Sequence, residues 1–227
     1  MKKTLHSEIS YILALIFLAV GVTLMEKADF GLSMVVAPAY LLHRWVSPTF
    51  SFFTFGMAEY CFQAILLVIM TLVLRKFKLS YLFSFVTAVV YGFVLDGFMY
   101  LLSLAVPGSI GIAVRLAFFV FGMISSSIGV SLMFHTYISA EVYELFVKEV
   151  SLNFKVEIHK FKTFYDIGSC LVAVIMSFLI FGFGHFEGIK LGTIFCTFVN
   201  GYIISLSSKF IEKHFEIKDL LPFRKYF

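Results

Sequence analysis

The chain has 227 residues, of which 60% are hydrophobic and only 14% are charged, with 30 phenylalanines and a net charge of +4. Soluble domains are about half apolar and about a quarter charged, so the composition excludes a single soluble core. The positive charge is typical of loops that flank membrane spans and does not indicate nucleic-acid binding. Cys61, Cys170 and Cys196 lie in apolar stretches without a CxxC or CxxH partner, which favours packing over metal or redox chemistry.

Six apolar stretches approach the length of about 20 residues that a helix needs to cross the hydrocarbon layer. In chain order, the predicted spans are 9–25, 55–74, 81–106, 112–134, 161–183 and 189–210. We interpret the first as a retained span, because no small-x-small cleavage site follows it. The sequence therefore predicts an all-α, polytopic membrane protein, with one membrane domain over residues 1–227 and a cytoplasmic tail at 211–227.

The distribution of basic residues predicts how the spans are oriented. Of the 18 Lys and Arg residues, 14 fall in segments on the same side of the membrane as the N-terminus. Cytoplasmic loops carry such an excess of basic residues. We therefore expect both termini to be cytoplasmic.

A short motif occurs twice, as GVTLM from Gly21 and GVSLM from Gly129. Each copy ends the first of three predicted spans, in the ranges 9–106 and 112–210. Because three is odd, the second set must enter the membrane from the opposite side. This arrangement is an inverted-topology repeat, which is common among secondary transporters.

Each half also has a segment too short to span. The segment around Pro38, VVAPAYLLHRWV, predicts a re-entrant or interfacial helix. The segment AEVYELFVKEVSL is amphipathic, with Val142 and Val150 on one face and Glu144 paired with Lys148 on the other. We expect this second segment to lie along the inner interface.

The turn KADFGLS, from Lys27 to Ser33, resembles the K-A-x-hydrophobic-G-x-S turn of the YczE/YitT-like bacterial membrane proteins. The resemblance implies a bacterial cytoplasmic membrane protein of similar topology, often with an acid where Asp96 lies, and no assigned biochemical activity. Met34 departs from the proline typical of that family. The corresponding turn in the second half, residues 135–139, lacks the glycine.

Several polar side chains lie within predicted spans, where a charge at the bilayer centre costs at least about 2.5–3.5 kcal/mol and normally faces the protein interior. They predict a polar cavity that binds a solute, with Asp96 and Glu59 exchanging protons. The alternative is helix packing through small and polar stripes. The candidate substrate-binding or coupling residues are Asp96, Asn200, Glu59, Gln63, Asp166 and Tyr100.

The turn after the first span has two interpretations. It is either an outer gate or broken-helix binding element, or a left-handed turn that needs glycine and has solvated charges. The residues concerned are Lys27, Asp29, Gly31 and Pro38.

We expect a small secondary transporter or permease for a small organic solute, with Asp96 opposite Asn200. The alternative is a non-transporting, substrate-binding or accessory membrane subunit that acts with a partner protein. An enzyme is disfavoured, because the chain has no HExxH, GxSxG or Gly-rich phosphate loop, and no metal or cofactor is expected. The expected partners are the lipid bilayer and the solute, and the chain's small size is compatible with a homodimer.

Overall fold

The computed structural model describes residues 2–79, 81–156, 158–182 and 190–221. These residues form eight helices and two short strands. In chain order they are β1 Lys3–His6, α1 Ser7–Ala28, α2 Ala37–Val46, α3 Phe55–Leu74, α4 Tyr81–Ala105, α5 Ile112–Phe134, α6 Val142–Phe154, α7 Ile158–Phe181, α8 Leu191–His214 and β2 Phe215–Lys218.

Six of these helices, α1, α3, α4, α5, α7 and α8, are long and apolar enough to cross a membrane. The prediction of an all-α fold with six spans is confirmed. The boundaries that were predicted at Phe183 and Ile189 lie outside the described residues. Helix α8 continues four residues beyond its predicted end at residue 210.

Helices α1 and α5 form the most extensive helix pair, and they run antiparallel. Their backbones approach closely at small residues. A Cβ built on Gly21 would lie 2.7 Å from the Gly122 carbonyl oxygen, and one built on Gly122 would lie 2.7 Å from the Gly21 oxygen. Near the middle of both helices, the Ser125 hydroxyl donates to the Phe17 carbonyl at 2.7 Å. Close approach at small residues is how helices gain packing energy in lipid.

The other spans pack around this pair. Helix α4 packs on α1, α8 packs on α5, and α3 packs on α4. The contact between α3 and α4 is close at Gly56 and Gly92. Helix α7 packs mainly on α2 and α6 and touches α8 only sparsely.

Each of the two short helices buries its N-terminal turn in the bundle. Pro38 is buried in the first turn of α2, where its missing N–H leaves no helical bond unmade. At the start of α6, the Val142 N–H donates to Gln63 about halfway along α3. Near the end of α6, Glu149 accepts from Tyr81 at the start of α4.

Helix α6 therefore runs alongside α3, and the expectation that it lies along the interface is wrong. Its N-terminal turn is held in the interior by Gln63. Val142 and Val150 are buried as predicted. Glu144, however, faces Lys162 of α7 and not the exposed Lys148.

The described ends of the chain meet at one end of the bundle, which we call the terminal end. There β1 pairs with β2 in parallel. A terminal-end latch consists of Ser7, Glu8 and Tyr137: Tyr137 donates its N–H to the Ser7 hydroxyl and its OH to the Glu8 carboxylate.

The opposite end of the bundle carries a second set of contacts, the opposite-end latch, made by Asp29, Arg115 and Lys190. The Asp29 carboxylate binds Arg115 at 3.2 Å and also binds Lys190. These contacts join the end of α1 to the starts of α5 and α8. Helix α1 therefore ends at the same end of the bundle at which α5 and α8 begin.

Candidate functional site

A cavity of about 50 Å³ lies in the middle of the bundle, between the N-terminal turns of α2 and α6. It has room for a few water-sized groups. Its polar lining comes from six elements or adjoining turns, and the residues that matter below are Ser33, Tyr91, Glu141, Glu144, Lys162 and Asn200.

One lysine of this cavity, Lys162, lies between two carboxylates. The Lys162 ammonium lies 3.3 Å from Asp166 Oδ1, one turn along α7. It also lies 3.9 Å from Glu144 Oε1 on α6. Both separations exceed the roughly 2.7–2.9 Å of a strong charge-assisted hydrogen bond. The lysine is therefore shared between two acids and does not form a tight pair with either.

Helix α3 supplies two polar residues with no exposed surface, Glu59 and Gln63. Gln63 donates its amide N–H to Glu141 Oε2 at 3.0 Å and accepts the Val142 N–H at 3.0 Å. Glu59 Oε2 accepts from the Tyr143 hydroxyl at 2.8 Å. These bonds hold the N-terminal turn of α6 against α3, and they join Glu59 and Gln63 to residues that line the cavity. A role of Glu59 and Gln63 in binding or coupling stays a prediction.

Two of the carboxyl groups on the α6 side are held in a strongly desolvating environment. Burial, reinforced by the charges of Glu144 and Glu59, raises the pKa of Glu141 well above its usual range. Burial also raises the pKa of Glu144, against the opposing effect of the Lys162 charge. The site therefore favours bound protons or bound cations over bare carboxylates.

Asp96 has a different role from the expected one. Its Oδ2 accepts from the Thr54 hydroxyl at 2.6 Å, and its Oδ1 accepts from the Gly56 N–H at 2.8 Å. The carboxylate thus satisfies donors in the first turn of α3, as a capping group does. It is not among the residues that line the cavity, so the expectation that Asp96 faces Asn200 is wrong.

The remaining candidate substrate-binding or coupling residues fall into two groups. Asn200 lines the cavity and accepts a hydrogen bond from Ser127, and Asp166 reaches Lys162. Tyr100 is 65% exposed on the outer surface of the bundle. Tyr91 and Tyr100 lie on opposite faces of α4. The face with Tyr91 lines the cavity, so Tyr100 faces away from it.

The turn after α1 holds helices together through its backbone and its charged side chains. Asp29 ends α1 in a left-handed conformation, and Gly31 has φ +110°. A Cβ on Gly31 would clash with the Thr193 hydroxyl and would lie 2.9 Å from the Thr193 nitrogen at the start of α8. Lys27 donates to the Gly108 carbonyl. The charges of this turn are therefore paired across the bundle and are not simply solvated, whereas Pro38 belongs to α2.

Sequence reasoning missed Glu141, Glu144 and Lys162 as site residues. It placed Glu144 on the polar face of an amphipathic segment and assigned no role to Glu141 or Lys162. One signal was available: Lys162 and Asp166 are four residues apart at the start of an apolar span, a spacing that places opposite charges on one helix face. Buried charges at that position usually face the protein interior.

Among the described residues, no three His, Cys, Asp or Glu side chains are grouped so that they could hold a metal ion. The carboxylates around the cavity are therefore spread over its walls and do not form a chelating cluster.

The six apolar helices define a multi-pass helical membrane protein, and its interior holds a small, charged cavity. The chain belongs to a family of unknown function, DUF6198, whose model matches residues 5–209. Comparisons with curated proteins and with solved structures gave no match. An uncharacterised family is compatible with the resemblance to YczE/YitT-like proteins, which stays a prediction.

Proposed function

We propose that this protein is a secondary transporter, or permease, that carries a small organic solute through the central cavity. The observation that carries the proposal is the cavity itself, in which buried charges meet the N-terminal turns of two short helices. Transporters commonly bind solutes near the midplane, where interrupted helices end. The proposal is one of transport and not of enzymatic chemistry, and it requires the bilayer and a solute as partners.

Internal symmetry supports two halves that move relative to each other. Ser125 and Phe17, which are hydrogen-bonded, are 108 positions apart, and the same shift relates GVTLM to GVSLM. It also relates contacts: Gly21 approaches Gly122 and Ser126, and Gly129 approaches Ala14 and Leu18. Reciprocal contacts of this kind are those of a two-fold axis. With α1 and α5 antiparallel, they support an inverted repeat of ranges 9–106 and 112–210.

The same shift of 108 positions relates one contact of the opposite-end latch to one contact of the terminal-end latch. Shifting Asp29 and Arg115 by 108 positions gives Tyr137 and Ser7, which are also bonded to each other. The equivalent contacts thus lie at opposite ends of the bundle. Alternate opening of the two latches would expose the central cavity first to one side of the membrane and then to the other.

A second cavity, of about 150 Å³, lies towards the terminal end. Glu144 lines both this cavity and the central one. The second cavity is also lined by Tyr137 of the terminal-end latch. We take it as the entry path from the side that the basic residues predict to be cytoplasmic.

Counterflow in liposomes tests the proposal. The purified protein is reconstituted alone, and uptake of labelled solutes from a metabolite panel is measured against the same unlabelled solutes inside. We expect flux of at least one solute, and we expect Glu144→Gln to reduce that flux by about tenfold, because a hydrogen bond to a charged group is worth about 1.5–3 kcal/mol. Asp96→Asn is the matched control, because it neutralises a carboxylate outside the cavity and should leave flux unchanged.

One result would contradict a carrier, and another would contradict the assignment of its pathway. Solute binding without flux would instead support the non-transporting accessory subunit. Equal loss of flux in Asp96→Asn and Glu144→Gln, with both variants folded, would contradict the assignment of the pathway to this cavity.

A further inference from the structure

The charged groups around the central cavity are unequal in sign. Four acids, Glu59, Glu141, Glu144 and Asp166, surround or adjoin it, and the described residues supply one nearby base, Lys162. The N-terminal turn of α2, which faces them across the cavity with Ser33, Val35 and Val36, contributes no charge. Around the cavity, acidic groups therefore outnumber basic ones, and the excess acids need a proton or a cation as partner.

Two of these acids also retain unused acceptor capacity. Glu59 has no exposed surface, and its Oε1 has no hydrogen-bond partner. Glu141 is 5% exposed and lines the cavity, and within the described parts of the chain its hydrogen bond from Gln63 goes to Oε2 alone. A buried carboxylate oxygen without a donor is costly, so a ligand that donates hydrogen bonds would relieve the cost.

Lys162 is held in the cavity in a way that makes it displaceable. Its contacts with Asp166 and Glu144 are long, at 3.3 and 3.9 Å, and its ammonium lies 5.6 Å from the centre of the Tyr165 ring. Carboxylates together with an aromatic face are the surroundings that an organic ammonium prefers. The lysine side chain is flexible, so its head group can leave these partners to another cation.

We infer that the solute is a small organic cation with a protonated amine, which binds Glu141, Glu144 and Asp166 in place of the Lys162 ammonium. This inference rests on the proposed function. Lys162 acts as the internal counter-cation of the empty carrier. Its withdrawal also makes room, because the cavity of about 50 Å³ is too small for an organic solute while the lysine occupies it.

Binding to the purified full chain in detergent at neutral pH tests the inference. The probes are ethylammonium, acetamide and acetate, which are similar in size and carry positive, zero and negative charge. We expect ethylammonium to raise the thermal unfolding temperature saturably, and acetamide and acetate to have no such effect. Preferential stabilisation by acetate, or none by ethylammonium, would overturn the inference with no variant needed.

Variants locate the binding. Glu141→Gln and Glu144→Gln should each weaken ethylammonium binding by about tenfold or more, whereas Asp96→Asn should not. Lys162→Met should strengthen it by about tenfold, because the competing ammonium is gone. Lys213→Met, at an exposed lysine of α8, is the matched control. Unchanged binding in a folded Lys162→Met would overturn the counter-cation role.

The two proposals fail separately. Flux of a neutral or anionic solute, without ethylammonium binding, would support the proposal of transport and contradict the inference that the solute is a cation. Ethylammonium binding at Glu141 and Glu144, without flux of any solute, would support the cation site and contradict the proposal of transport.

Discussion

At the scale of single residues, the acids in the interior of this protein differ in whether they line the cavity or hold a helix end. Asp96 and Glu141 are both carboxylates next to a helix start, yet only Glu141 lines the cavity. Asp96 is satisfied by Thr54 and Gly56, which uses both of its oxygens. What distinguishes the two acids is therefore whether local donors already occupy the carboxylate, which the sequence does not specify.

Gly31 offers a test at this scale. Gly31→Ala should destabilise the protein by about 2–4 kcal/mol, because its positive φ costs a side chain about 1–3 kcal/mol and the new Cβ meets the Thr193 backbone nitrogen. Thermal unfolding in detergent measures the change. Gly97→Ala is the control, since nothing lies within 4 Å of its Cβ position and alanine favours the helix. Equal stability of the two variants would contradict a role of this turn in holding the end of α1 against the start of α8.

At the scale of elements, α6 is the part of the chain that organises the site. Its first turn is bonded to Gln63 and Glu59 of α3, and its last turns reach Lys78 and Tyr81 through Glu149. An amphipathic pattern predicted the helix but placed it at the interface, because the pattern records which face is apolar and not what covers the other face. Here Glu144 on the polar face is covered by α7, where it approaches Lys162, and Lys148 on the same face is exposed.

The end of α6 predicts a pH dependence. Burial alone would raise the pKa of Glu149, but hydrogen bonds from Lys78 and Tyr81 outweigh it, so the pKa is lowered from 4.5. A lowered pKa means that the ionised form stabilises the fold above about pH 4.5 and that this stabilisation is lost as the pH falls. Glu149→Gln should therefore cost about 0.5–1 kcal/mol at neutral pH and much less in acid.

Unfolding measured at both pH values checks this prediction. Lys78→Met is a companion variant that should reproduce part of the loss at neutral pH. A destabilisation in Glu149→Gln that is the same at both pH values would mean that packing, and not the charge, holds the end of α6.

At the scale of the whole molecule, the spans could be predicted and the cavity could not. Hydropathy and length suffice for a helix in lipid, so α3 and α5 begin and end where the sequence placed them. The inward face of a span depends on its neighbours: Tyr100 and Asn200 both looked like cavity residues, and only Asn200 has helices packed over it. The repeat of GVTLM was visible in the sequence, but the reciprocal contacts of Gly21 and Gly129 needed the structure.

The central claim is that one cavity between two related halves opens alternately to the two ends of the bundle. Labelling of a Ser33→Cys variant, in a background without native cysteines, with a membrane-impermeant thiol reagent tests it most directly, because Ser33 lines the cavity and no solute need be known. We predict no labelling from the opposite end while the opposite-end latch is intact, and labelling from that end once Arg115→Ala breaks the latch. Labelling that is unchanged by Arg115→Ala, from either side, would contradict the account.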